Sequence, residues 1–265
     1  MIISASMATY AEQGHNKNRS PQENGKPSLT FSERAYLTSR VVQSALVVPK
    51  IAIETFDGVL RFKKSPQYKG KDDEGTELPR GNEEHILLIP GFCTPELSLE
   101  PFKAAINNLQ YDAHVARSKL HVNHVFHMDR HIGDRVRRAA DETGDAVTIF
   151  GHSWGGRQAV MAALEMPEEI KHVIAVGSPI HDINEKPETV HVTNIYSATD
   201  AVVPAHYAEN SLFDQIELEG ISHLGLIFNR MVFEHTAYQL EEHTKSTSFK
   251  QDSSRGQKNI PPVAV

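Results

Sequence analysis

The chain has 265 residues, with 27 lysines and arginines against 34 aspartates and glutamates, and so a net charge of −7 at neutral pH. Its single cysteine excludes an internal disulfide and a cysteine-rich zinc site, and no stretch reaches the ~18 apolar residues of a membrane span. The mild acidity, without a basic stripe, argues against nucleic-acid binding. Since residues 1–20 carry no secretory signal pattern, we expect a cytoplasmic protein.

Polar composition marks both ends of the chain. Residues 1–28 are rich in Gln, Asn, Ser, Gly and Pro, and residues 244–265 are also polar. Such segments cannot bury enough apolar surface to fold, so we expect both to be disordered. The remaining residues, 29–243, are predicted to form one domain.

The first part of that domain is predicted to hold a helix and a hairpin. Thr30-Phe31-Ser32-Glu33 matches a capping box, and the apolar pattern after it predicts a helix that Pro49 ends. Ile51–Phe56 alternates apolar and polar residues, Asp57-Gly58 is a turn dipeptide, and Val59–Phe62 follows it, which predicts a β-hairpin. Residues 63–84 are charged and contain Gly and Pro, so we expect a loop there.

From residue 85 onwards, short apolar runs alternate with helical patterns. The predicted strands are His85–Ile89, Ala113–Arg117, Ala146–Phe150, His172–Val176, Val190–Tyr196 and Gln215–Leu218. The predicted helices are Leu99–Leu109, Ile132–Asp141, Ser153–Met166 and Leu224–Leu240. This alternation predicts an α/β fold with a mostly parallel central sheet and helices on both faces.

The segment Gly151-His152-Ser153-Trp154-Gly155-Gly156 carries the strongest chemical signal, because it fits G-x-S-x-G between a predicted strand and a predicted helix. A serine at such a turn has strained backbone geometry, and small residues on either side let the strand and helix pass closely. We therefore predict Ser153 as a nucleophile. A glycine-rich turn without chemistry is the simpler alternative.

A serine nucleophile needs a base, and the base needs a carboxylate that orients it. Asp200 and His223 each follow a predicted strand, and in this order they suit an acid and a base at the same sheet edge as Ser153. Other candidates remain open at this point. They are Asp182 and Glu185 for the acid, and His206 and His235 for the base.

The oxyanion formed in acyl transfer needs two preorganised N–H donors. We expect one from Trp154, the residue after the nucleophile. The other is expected from Phe92, in the loop Pro90-Gly91-Phe92-Cys93 after the first predicted strand.

Three segments resemble the α/β-hydrolases of the bacterial lipase and esterase type: Leu88–Phe92, Gly151–Gly156, and the stretch from Ile195-Tyr196-Ser197 through Asp200 to Ser222-His223-Leu224-Gly225. The resemblance covers roughly residues 85–240. It implies the α/β-hydrolase fold with little or no lid, and hydrolysis of a small-molecule carboxylic ester through an acyl-enzyme on Ser153. It also implies that no cofactor is needed.

Chain length and composition near the predicted site add two expectations. Only Gly177–Thr189 separate two predicted strands where lids are usually inserted, so we expect no multi-helix cap. The residues expected near Ser153 are mostly apolar: Phe92, Trp154, Val202, Val203 and Leu224. They favour an apolar acyl group, although half of them could belong to the core instead.

Two other features have weaker interpretations. His121, His124, His127 and His131 form a cluster together with Asp129, but no Glu or Cys completes a recognisable metal motif. We therefore expect solvated histidines and no metal site. Cys93 lacks a nucleophile elbow and is expected to be a small buried residue. Two alternatives to ester hydrolysis stay open, namely acyl transfer by the same three residues and a non-catalytic binding protein on this fold.

Overall fold

The computed structural model describes residues 58–91, 96–116 and 128–242, without the side chains of residues 96 and 128–131. The predicted first helix, the first strand of the predicted hairpin and both polar ends lie outside the described residues. The predicted domain limits therefore remain predictions.

Six parallel strands form the sheet. They are β1 (His85–Ile89), β2 (Asp112–Val115), β3 (Val147–His152), β4 (Ile170–Val176), β5 (His191–Ser197) and β6 (Asp214–Leu218), in the spatial order β2-β1-β3-β4-β5-β6. All six strand predictions are confirmed, with small differences at the boundaries. Every strand points the same way, so all six carboxyl ends meet at one edge of the sheet.

The described helices are α1 (58–64), α2 (Glu100–Asn108), α3 (Met128–Thr143), α4 (Trp154–Glu165), the short α5 (Ala205–Ala208) and α6 (230–242). Three-residue or four-residue 3₁₀ turns occur at Gln67–Lys69, Glu96–Leu99 and Gly225–Phe228. These turns lie in the segments between the helices and strands and do not form a further layer against the sheet.

Apolar residues of the strands alternate between two separate cores, one on each face of the sheet. Leu88 and Phe150 pack with residues of α1, α2 and α6, including Phe102. Leu87 and Ile149 pack with residues of α3 and α4 on the opposite face. The sheet is therefore covered by helices on both faces, as the alternating pattern predicted.

The prediction of a hairpin over residues 51–62 is wrong in its second half, because residues 58–64 form helix α1. Phe62 is buried against the rings of Phe102 and Phe233, and Val59, one helical turn earlier, packs on the same core. Leu60, by contrast, is 40% exposed. Tertiary packing of one helical face thus overrides the Asp57-Gly58 turn signal.

The predicted continuous helix Leu224–Leu240 is also wrong at its start. A 3₁₀ turn covers Gly225–Phe228, and α6 begins only at residue 230. Asn229 lies between them with extended backbone, and its side-chain oxygen accepts hydrogen bonds from the N–H groups of Met231 and Val232. Asn229 is an N-cap that starts a new helix, and this cap separates the two pieces.

Candidate active site

Ser153 lies at the turn between β3 and α4, where the backbone is strained. Its φ of 57° and ψ of −125° are rare for a residue with a side chain. The Ser153 N–H donates to the carbonyl of Val176 at 2.8 Å, which ties the turn to the end of β4. This strain, retained within a dense core, is typical of a functional position.

The glycines around Ser153 are required by the close approach of strand and helix. A Cβ on Gly155 would lie 2.5 Å from the carbonyl oxygen of Ile89, and a Cβ on Gly151 would overlap the backbone of Gly156. No side chain larger than hydrogen fits at either position without moving backbone. The small residues of the motif therefore have a steric cause in this structure.

The side chains of Ser153, His223 and Asp200 form one hydrogen-bonded chain. The Nε2 atom of His223 lies 2.9 Å from the Oγ atom of Ser153. The Nδ1 atom of His223 lies 2.7 Å from the Oδ2 atom of Asp200. All three residues are buried, and Ser153 retains an exposed fraction of 5%. The loops after β3, β5 and β6 thus bring together the three residues chosen from the sequence.

Asp200 is held as an acceptor by the backbone as well as by the imidazole. Its Oδ1 atom accepts hydrogen bonds from the N–H groups of Val202, at 2.7 Å, and Val203, at 3.0 Å. These donors fix the plane of the carboxylate. An ionised carboxylate in this orientation selects the His223 tautomer that carries its proton on Nδ1, which leaves Nε2 as an acceptor for the serine proton.

Asp182, the main alternative for the acid, has another partner. Its two carboxylate oxygens lie 2.5 Å and 3.0 Å from the guanidinium nitrogens of Arg157. Arg157 is buried, donates also to the carbonyl of Pro179 and lies over the Trp154 ring. Asp182 therefore neutralises a buried cation and braces the loop after β4. Of the other candidates, Glu185 and His206 are exposed and His235 lies half-buried in α6.

His152, the residue directly before Ser153, belongs to the site although its sequence pattern predicted no role for it. His152 is fully buried at the end of β3. Burial, with a smaller contribution from the nearby His223, lowers the pKa of His152 to about 3. Its imidazole is therefore neutral at physiological pH. Its signal in the sequence was its place at the end of a buried strand whose other residues are apolar except for Thr148 and Gly151.

Of the two expected oxyanion donors, the structure describes one. Trp154 is the first residue of α4, so its N–H belongs to the N-terminal turn of a 12-residue helix, where partial positive charge concentrates. Phe92 lies outside the described residues, as does Cys93. The role predicted for Phe92 stays a prediction.

The histidine cluster predicted to be solvated also falls outside the description. His121, His124 and His127 are not described, and only the helical backbone of His131, in α3, is described. The prediction that this cluster binds no metal therefore stays a prediction.

The connection between β4 and β5 is short and contains no helix, in agreement with the expected absence of an inserted cap. Val202 and Val203, two of the residues expected near the substrate, are buried in a small cluster with Tyr196 and Ala208. They support the Asp200 loop. Trp154 and Leu224 are half-buried and remain candidates for contact with a substrate.

Comparison with known proteins agrees with this architecture. The model of a protein family described as having the alpha/beta hydrolase fold matches residues 84–201. Among solved structures, MGS-MChE2, an alpha/beta hydrolase enzyme from the sediment metagenome of the Mar Chica lagoon in Morocco, superposes with a TM-score of 0.50 at 15% identity. The superposition covers 63% of this chain and 94% of that one.

Two further structures superpose with slightly lower TM-scores. A predicted CIB-like hydrolase from Thermoplasma acidophilum has a TM-score of 0.47 at 19% identity, over 63% of this chain and 90% of that one. Esterase PE8 has a TM-score of 0.47 at 16% identity, and the superposition covers 62% of this chain and 96% of that one. A comparison with curated proteins finds no match to this sequence. Among the described residues, no helix has the length and apolar character to cross a membrane.

Proposed function

Since this chain has the fold of the α/β-hydrolase superfamily, we propose that it is a serine hydrolase that cleaves carboxylic esters. In this proposal Ser153 is the nucleophile, His223 is the base, and Asp200 is the acid that orients His223. The single observation that carries the proposal is the hydrogen-bonded chain from Ser153 Oγ through His223 to Asp200, with distances of 2.9 Å and 2.7 Å. Such a series of hydrogen bonds, with the serine on a strained strand-to-helix turn, is the arrangement that activates a serine hydroxyl.

In the first half of the proposed reaction, the Ser153 oxygen attacks the ester carbonyl while its proton moves to Nε2 of His223. The carboxylate of Asp200 stabilises the resulting imidazolium through Nδ1. The Trp154 N–H, and the Phe92 N–H as a further proposal, stabilise the negative charge on the carbonyl oxygen. His223 then donates its proton to the leaving alcohol, and an acyl-enzyme ester on Ser153 remains.

In the second half, His223 takes a proton from water, and the hydroxide equivalent attacks the acyl-enzyme. The acid is released, and the serine proton is restored by His223. No step needs a metal or an organic cofactor. Trp154 and Leu224 are half-buried, and their apolar side chains support the proposal that the substrate has an apolar acyl group.

A fluorophosphonate probe tests the proposal directly, because an activated serine displaces its fluoride and becomes phosphonylated. We expect the wild type to be labelled at Ser153 and Ser153→Ala to be unlabelled. Ser211→Ala, which alters an exposed serine in the turn before β6, serves as the matched control and should label like the wild type. Labelling of Ser153→Ala at the wild-type rate would refute the assignment.

A panel of nitrophenyl esters from acetate to palmitate then tests the substrate class. We expect hydrolysis by the wild type and a loss of at least about 10³-fold in kcat for Ser153→Ala. An apolar acyl pocket predicts that kcat/KM rises from acetate to a longer chain. A profile that falls steadily from acetate onwards would contradict the apolar acyl group, while leaving the serine mechanism in place.

A further inference from the structure

Two histidines and an aspartate converge at the amino ends of β1 and β2, away from the edge that holds Ser153. His85 is the first residue of β1 and Asp112 the first of β2, and the two are directly opposite in the parallel register. His114 follows Asp112 by two residues on the same strand. Because side chains alternate along a strand, all three project from the same face of the sheet.

The three side chains already lie close together. The Nδ1 atom of His85 lies 2.8 Å from Oδ2 of Asp112, and the Nε2 atom of His114 lies 2.7 Å from Oδ1 of the same carboxylate. The two imidazole rings are stacked with their centroids 4.6 Å apart and their planes 21° from parallel. Each ring thus directs one nitrogen at a shared carboxylate.

We propose that His85, Asp112 and His114 form a binding site for a divalent transition-metal ion of the zinc class. Their ligand atoms all lie within 4.8 Å of one another. Tetrahedral zinc, with bonds of about 2.0–2.1 Å, holds its ligand atoms about 3.4 Å apart, so small rotations of the side chains bring the set into place. Each imidazole can carry its proton on the other ring nitrogen and present a lone pair to the metal.

The donor set selects the metal. Two imidazole nitrogens and one carboxylate oxygen suit zinc, cobalt or nickel, whereas magnesium and calcium prefer oxygen ligands alone. Three protein ligands leave one tetrahedral position for water. The site is accessible from solvent, since the side chains of His114 and Asp112 are 54% and 45% exposed, while that of His85 is 18% exposed.

The backbone beneath the site is held in place independently of any ion. The Asp112 N–H donates to the carbonyl of Glu84 at 2.9 Å, and the side chain of Glu84 is paired with Lys171 at 2.7 Å. Because His85 lies on β1 and the other two ligands lie on β2, a bound ion would cross-link these two strands. β2 is the strand at one end of the described sheet. Because it binds the folded protein, the ion should raise the stability of the fold.

The experiment uses the full chain without an affinity tag, after a chelator has removed any bound metal. The protein is then titrated with Zn²⁺ and, in a separate experiment, with Co²⁺. Calorimetry counts the binding equivalents and measures affinity, and Co²⁺ absorption reports the geometry of the site. We expect His114→Gln and Asp112→Asn each to lose one equivalent or to bind it at least about tenfold more weakly than the wild type. His206→Gln, which alters another exposed histidine, should bind like the wild type.

Thermal unfolding gives a second readout. Zn²⁺ should raise the melting temperature of the wild type and of His206→Gln, and His114→Gln should lose that increase. Ser153→Ala should keep it, so failure of the proposed hydrolase and failure of the metal site are separable. Equal stoichiometry and affinity in His114→Gln, Asp112→Asn and the wild type would overturn the proposal, as would a wild type that binds neither ion.

Discussion

The buried imidazole of His152 lies directly beside that of His223. Their ring centroids are 4.7 Å apart, and Nε2 of His152 lies 3.1 Å from the backbone carbonyl oxygen of His223. A neutral His152 with its proton on Nε2 donates to that carbonyl. The residue before the proposed nucleophile thus holds the backbone of the proposed base, across 71 positions of the chain.

Replacing His152 should therefore disturb the base more than the binding of substrate. We expect His152→Phe to lower kcat by about five- to tenfold, which corresponds to loss of one buried hydrogen bond, with little change in KM. His152→Gln, which can still donate from its side-chain amide, should recover part of the loss. Nitrophenyl ester kinetics measure both variants. Identical kcat values for His152→Phe and the wild type would contradict the positioning role.

The same histidine should make the fold sensitive to acid. Its pKa is about 3 in the folded protein, and an ordinary value near 6.5 is expected after unfolding. Below pH 6.5 the unfolded chain takes up a proton that the folded protein does not, so stability falls as the pH drops from 6.5 towards 3. The slope contributed by this group is at most about 1.4 kcal/mol per pH unit.

Urea unfolding at pH 4.5 and pH 7 checks this dependence. The free energy of unfolding should drop less between the two pH values for His152→Phe than for the wild type. His206→Gln, which removes a histidine from the surface instead of from the core, provides the matched control. A steeper acid dependence in His152→Phe would show that the sign is wrong.

Asp200 and Asp182 should respond to substitution in opposite ways. Asp200→Asn retains the shape of the side chain but removes the charge that orients His223, so we expect kcat to fall by at least about 10³-fold with the fold intact. Asp182→Asn should leave the charge of the buried Arg157 without its counter-ion and lower the free energy of unfolding by about 3 kcal/mol.

Paired measurements of kcat and of urea unfolding separate the two aspartates. Full activity in Asp200→Asn, together with its loss in a folded Asp182→Asn, would move the acid to position 182. The pairing of Asp182 with Arg157 argues for the opposite result.

Gly177 has a conformation and a position that exclude a larger residue. Its φ is +57°, and a Cβ there would lie 2.8 Å from Leu226 and within 3.5 Å of both His223 Nδ1 and Asp200 Oδ2. We expect Gly177→Ala to lower the free energy of unfolding by about 1–3 kcal/mol and to lower kcat as well. Gly133→Ala lies inside α3, where a Cβ would meet only flexible side-chain ends, namely the tip of Met166 at 3.5 Å and Arg137 Nη1 at 4.0 Å. This substitution should be neutral or stabilising by up to about 1 kcal/mol. Equal effects of the two substitutions on unfolding would contradict this explanation.

The sequence predicted the centre of the sheet well because its strands contain continuous apolar runs such as Ile86–Ile89, which are buried on both faces. It failed where local signals were ambiguous. The Asp57-Gly58 turn signal gave way to packing of Phe62, and the apolar pattern from Leu224 to Leu240 concealed the cap at Asn229. In both places the outcome depends on contacts with residues far along the chain.

The candidate site could be predicted for a different reason. Ser153, Asp200 and His223 each follow a strand, and parallel strands bring their carboxyl ends to one edge, so topology alone gathers them. The cluster of His85, Asp112 and His114 was missed because its members lie at the opposite ends of the strands. Its recognition requires the register of β1 against β2, which no single segment of sequence contains.

The order of the chain has a consequence for biosynthesis. The proposed base follows the proposed nucleophile by 70 residues, and it is anchored only when Leu226, Ile227 and Phe228 reach the core. A ribosome that has translated only the first five strands therefore carries Ser153 without its proposed base. Under the proposed mechanism, a nascent chain of that length would not yet attack an ester. Under the proposed mechanism, synthesis of the segment that carries His223 determines when the Ser153 hydroxyl can become reactive.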